Sequence, residues 1–176
     1  MGPAFSGALA LRLGALHELL GHYAESLSVT THAYELAEAA ADEATLDRLE
    51  NHIGEVRYSM GDIQGAIACL QRALQRAEQR KDPRAMSVGC RHLGVVHFGS
   101  GSLAAGTDFF LRALRISEEA QNSGEVATAC ILLSNAHCRI GNLDEAVAWG
   151  RRGLGALRRL GDDARARDPR GRRPAQ

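Results

Sequence analysis

Four glycines, Gly21, Gly61, Gly101 and Gly141, stand forty residues apart with nothing inserted between successive intervals. A strict interval of that length marks stacked supersecondary units rather than one mixed core. Other positions keep the same register. Leu13, Ile53, Leu93 and Leu133 form an apolar column, as do Tyr34, Leu74, Leu114 and Leu154. Small residues recur at Gly14, Gly54, Gly94 and Ser134, at Ser26, Ala66, Gly106 and Ala146, and at Ala33, Ala73, Ala113 and Gly153.

Each unit reads as two helices. Leu46, Leu49, Ile53, Val56 and Met60 follow helical spacing up to the glycine. The glycine ends that helix because it accepts a left-handed backbone. Asp62, Ser102 and Asn142 then stand as N-caps, and Asn142 with Glu145 has capping-box spacing. His22 breaks this series. The second helix continues the period through Ile63, Ala66, Ile67, Leu70, Ala73, Leu74 and Ala77. Polar joints at 41–43, 81–83 and 122–124 separate the units. Aromatics are only 5% of the chain and β-branched residues are sparse, which favours helix over sheet. The small columns let helix backbones approach closely. One helix pair cannot bury its own faces, so the units must stack.

This register resembles the tetratricopeptide repeat. "LGALH" (13–17), "IGEVR" (53–57), "LGVVH" (93–97) and "LSNAH" (133–137) occupy that family's Leu-Gly-x2-Tyr stretch. Ala66 and Ala146 hold the next small site, Phe110 the aromatic one, and Ala73 and Ala113 the late alanine. The period matches the longer-helix variety of partner-of-inscuteable and kinesin-light-chain proteins and of many bacterial regulators. The family's Trp and late Pro are missing, and His or Arg fills its Tyr slot. The resemblance implies an all-α, right-handed α-solenoid of four helix-turn-helix repeats. The expected repeats are about 7–44, 45–84, 85–124 and 125–163, forming one domain over 1–163. Residues 164–176 read as a disordered Arg-rich tail.

The resemblance also implies that the first helices line a concave groove. Arg48, Asn51, Glu55, Tyr58, Arg91, Phe98 and Asn135 fall on groove slots, with Val88, Val95, Thr128, Ile131 and Cys138 beside them. Tyr58 and Phe98 fit either the groove or the core. The two-carboxylate clamp of some relatives is absent, since Asn51/Glu55, Arg91/Val95 and Ile131/Asn135 lack its Lys-then-Asn pairing. Chaperone-tail binding is not expected.

Catalytic and metal chemistry find no pattern. His137 precedes Cys138, but it shares its slot with His17, Arg57 and His97, a repeated packing position. Adjacent helical residues diverge, so the pair does not form a dyad. Cys90 and Cys130 share the family's Trp slot, and no CxxC pair occurs. The four cysteines read as small hydrophobes in a reducing, cytoplasmic compartment. No phosphate loop is present. Acidic and basic residues balance at 21 each, so net charge draws the chain to neither nucleic acid nor membrane. The basic tail lacks aromatics for base stacking. No cofactor, metal or catalytic residue is expected.

The sequence therefore points to a noncatalytic scaffold that holds a protein partner's peptide or helix in its groove. The alternative is the sensor or interaction module of a larger, possibly bacterial, transcriptional or signalling regulator. Leu143, Val147, Leu154 and Leu157 leave an apolar stripe on the last helix, so self-association or a longer array is expected there.

Overall fold

The computed structural model describes residues 3–167, with side chains from 6 to 161. Eight helices follow one another: α1 (Pro3–Leu19), α2 (Tyr23–Ala39), α3 (Glu43–Ser59), α4 (Ile63–Gln79), α5 (Pro83–Gly99), α6 (Leu103–Glu119), α7 (Ser123–Ile140) and α8 (Leu143–Arg167). No strand occurs among the described residues. The expected four helix pairs are present, and the fold is an all-α solenoid. The backbone of α8 continues through Arg167, past the expected domain boundary at 163. The rest of the Arg-rich tail lies outside the described residues.

Every connection closes in one way. After α3, the Gly61 N–H donates to the Tyr58 carbonyl and the Asp62 N–H to the Arg57 carbonyl, each at 2.9 Å. These bonds satisfy carbonyls that a helix end otherwise leaves open. They require a left-handed residue between the helices, and Gly61 has φ of 86°. Alternate turns put Ala41, Lys81 and Gln121 at that same place, with φ of 52, 53 and 53°. The backbone thus repeats every half-unit, although glycine marks only every second turn. Asp42, Asp62, Asp82 and Asn122 cap the following helices with side-chain acceptors. Ser102 does not, contrary to expectation. Asp62 caps at a similar ψ of 73°, against 63° for Ser102, so the difference lies in reach: the serine hydroxyl is one atom shorter than a carboxylate.

The apolar core is concentrated at joints between units. One cluster joins Ala33 and Ala37 of α2 to Leu46 and Leu49 of α3. A second joins Leu70 and Leu74 of α4 to Cys90, Leu93 and Val96 of α5. A third joins Phe110 and Leu114 of α6 to Val126, Cys130 and Leu133 of α7. Small residues set the spacing within a pair. A Cβ on Gly54 would stand 2.8 Å from Leu70 Cγ, and one on Gly94 would stand 2.5 Å from the Phe110 ring. The first helices of successive pairs touch along α1, α3, α5 and α7. Backbones of successive second helices stay apart, and long side chains bridge them in the Arg112–Glu78 and Arg152–Glu118 pairs. The closer spacing on the first-helix side makes it the concave side.

The second unit departs from its neighbours by burying charge. Asp47 and Glu50 occupy slots that hold Ser87 and Cys90 in the third unit and Ala127 and Cys130 in the fourth. Both carboxylates are buried. Arginines of α4 and its C-cap answer them: Arg72 Nε donates to Glu50 at 2.6 Å, Arg76 Nε donates to Asp47 at 3.0 Å, and Arg76 and the C-cap Arg80 add further contacts to Glu50 and Asp47. Arg76 is the centre of this cluster, since it reaches both acids. Without Arg76, Glu50 keeps only Arg72 and Asp47 only Arg80, so each buried acid loses one of its two guanidinium partners. Arg76→Ala should therefore lower unfolding free energy by about 1.5–3 kcal/mol in urea titrations. Adding Asp47→Ala and Glu50→Ala to that variant should recover a large part of the loss.

Candidate partner-binding groove

The inner face is built from α3, α5 and α7, whose parallel alignment follows from the repeated turns. Two hollows open along it. The first, of about 460 Å³, is lined by Tyr58, Val95, Phe98, Leu132, Asn135 and Cys138, among others, near the C-terminal ends of these helices. Its walls are mostly apolar, and the Arg139 guanidinium stands 4.7 Å above the Phe98 ring. The second, of about 570 Å³, lies near their N-terminal ends and is lined by Arg48, Asn51, Arg84, Val88 and Glu125, among others.

The proposed groove residues divide between these hollows. Arg48 and Asn135 are exposed, whereas Tyr58 and Arg91 are half-buried. Asn51 is buried, and its Oδ1 has no hydrogen-bond partner. An unmet buried acceptor carries a desolvation cost until a donor arrives. The Arg91 Nε is likewise unpaired, although Glu125 lies 3.9 Å away. Phe98 is buried against Phe110, with ring centroids 6.2 Å apart, so it belongs chiefly to the core and only borders the apolar hollow. Val95 is the more exposed apolar group of that wall, a groove slot with no aromatic to draw attention to it.

Glu55 stands between two histidines. Its carboxylate lies 2.8 Å from His92 Nδ1 and 3.9 Å from His52 Nδ1, while His52 Nε2 meets Ser26 Oγ at 3.2 Å. Burial pushes the Glu55 carboxyl upward, but the His92 hydrogen bond and the charges of His92, His52 and Arg91 outweigh it, so its pKa falls below the ordinary value. A depressed carboxyl contributes stability above its unfolded pKa and loses it as pH falls through the folded value. Glu55→Gln should therefore destabilise the protein at neutral pH and cost progressively less below about pH 4, the ordinary glutamate range. Urea titrations of both proteins across that range check the convergence.

The His137 ring stacks on Trp149 at 6.5 Å, and the His97 ring stacks on Phe109 at 5.3 Å. These contacts pack the two helices of a pair together. Cys138, by contrast, is exposed at the apolar hollow, while Cys69, Cys90 and Cys130 are buried. Burial raises the Cys90 thiol to about 11. A maleimide probe should accordingly modify Cys138 first in the native protein, with the other three thiols reacting only after denaturation. Peptide mapping after short labelling checks that order.

Residues 51–80 match the tetratricopeptide repeat family model. No curated protein matches the chain. Solved structures share its fold at low identity. Aspartyl phosphate phosphatase F from Bacillus subtilis superposes with a TM-score of 0.78 at 18% identity, over 92% of this chain and 43% of that one. A Rap protein complexed with competence and sporulation factor gives 0.80 at 17%, over 92% and 45%. The Rap conjugation gene regulator of plasmid pLS20, in complex with the Phr* peptide, gives 0.72 at 21%, over 89% and 43%. This chain spans less than half the length of each. Its second helix pair carries a tetratricopeptide repeat, and its described helices form a solenoid of that type.

Proposed function

We propose that the chain is a noncatalytic scaffold that holds a segment of a protein partner along α3, α5 and α7. The observation that carries this reading is the buried, unpartnered Asn51 Oδ1 on the wall of the polar hollow. A backbone N–H of a bound segment supplies the missing donor. Exposed Arg48 beside it favours an acidic side chain. The apolar hollow around Tyr58 and Val95 accepts an apolar side chain further along the same segment. The peptide in the pLS20 regulator complex supports the choice of ligand class.

Panning a random peptide display library against the full chain tests this. Enriched peptides should carry an acidic and an apolar position at a constant separation. Arg48→Ala and Val95→Asp should each weaken the best peptide by about 1–2 kcal/mol in fluorescence anisotropy, the range of a hot-spot contact. Phe98→Ala is a poorer probe, because its ring is part of the core. An unenriched library, or unchanged affinity in both folded variants, removes the groove site.

A second reading makes the array the receptor part of a larger regulator. It is favoured by the description of one structural neighbour as a conjugation gene regulator and by the partial coverage of all three. Intact mass of the protein isolated from its source cells decides it. A product no longer than 176 residues excludes a fused effector.

A further inference from the structure

Three internal joints seat a second helix on the first helix of the following unit. Tyr34 packs at the α2–α3 joint, Leu74 at α4–α5 and Leu114 at α6–α7. Leu154 of α8 is the fourth member of that column, yet it is 57% exposed where Leu74 and Leu114 are 6% and 3%. The other half of a joint lies open at the opposite end. Leu9, Leu13 and Leu16 of α1 hold the register positions of Leu49, Ile53 and Val56 of α3. They are 58, 42 and 57% exposed, against 0, 8 and 0% for their counterparts. The column position that set Leu13 beside Ile53 in the sequence thus gives it a different environment.

We propose that α8 of one copy seats α1 of a second copy, in the arrangement by which each second helix seats the next first helix within the chain. The two open faces are the complementary halves of one joint, and that joint is built three times inside the molecule. Polar neighbours are compatible. The Glu55–His92 contact crosses from α3 to α5, and its register equivalents at the new joint are Asn135 and Arg12, an amide acceptor and a guanidinium donor. The convex ties are not reproduced: where Glu78 meets Arg112, the new joint sets Arg158 near His32. Apolar contact therefore carries the association. Because the two faces differ, each added copy presents a fresh face, and growth does not stop at a dimer.

Light scattering on the full chain over a wide concentration range tests the proposal with face-specific variants. The wild-type mass should rise past that of a dimer. A front variant, Leu9→Asp with Leu16→Asp, and a back variant, Val147→Asp with Leu154→Asp, should each raise the association midpoint at least about tenfold, since a carboxylate would be buried without a partner. Mixed in equal amounts, they should form a one-to-one dimer and nothing larger. Wild-type protein that stays monomeric throughout overturns the proposal. So does a variant that still associates alone, which would mean a symmetric contact between like faces, or a mixture that fails to pair. Hydrogen exchange on wild-type protein gives a second measurement that does not depend on the variants folding. Amides of α1 and α8 should slow together as concentration rises, while those of α4 and α5 do not change. Slowing at only one end also overturns the proposal.

Discussion

A helix of seventeen residues gains little in water from its own hydrogen bonds, and a pair of them still leaves one face wet. Burial between pairs supplies what is missing. Leu49, Leu93 and Leu133, one from each of the three internal joints, are fully enclosed or nearly so, and each enclosed leucine contributes about 1.5–3 kcal/mol relative to exposure. The turns make this burial possible. They repeat one hydrogen-bond pattern, so a face prepared in one unit meets the face prepared in the next. Stability is shared between neighbours, and no unit owns a complete core.

The groove is a by-product of that arrangement. First helices pack close to one another while second helices are held apart by their longer bridging side chains, so the stack bends toward the first helices. The bend brings Tyr58, Val95 and Asn135 from three different units to one hollow. None of the three is near another in the sequence. The inner surface thus varies by side chain while the backbone turns beneath it repeat, which suits recognition of extended segments.

Most of the architecture was legible in the sequence because it repeats. Forty-residue spacing of glycine located four turns, and the apolar columns gave the helices between them. The three intervening turns were less visible because Ala41, Lys81 and Gln121 accept the left-handed backbone without advertising it. The groove was legible only as a set of slots. Slot position cannot tell which way an aromatic leans, and Phe98 leans inward to Phe110 while Val95 remains at the surface. The buried ion cluster follows from none of the repeating columns. Its signal was present: Asp47 and Glu50 sit where other units have small or sulfur-bearing residues, and Arg76 sits where α6 has Ile116. The cluster lies where the copies disagree, not where they agree.

That disagreement gives an otherwise uniform chain a means of counting. A repeat protein whose units are nearly interchangeable is open to mispairing, one helix taking the partner meant for another. If α3 docked on α6 in place of α4, the slot opposite Asp47 and Glu50 would offer Ile116 where Arg76 belongs and Ala120 where Arg80 belongs. Arg112 would still stand in the place of Arg72 beside Glu50, but Asp47 would lose both of its guanidinium partners, a heavier penalty than a mismatch of leucine with alanine. The difference between the copies thus lies in charge: Arg76 and Arg80 distinguish the second unit's own helix from α6, while the apolar columns say only that some helix should be there.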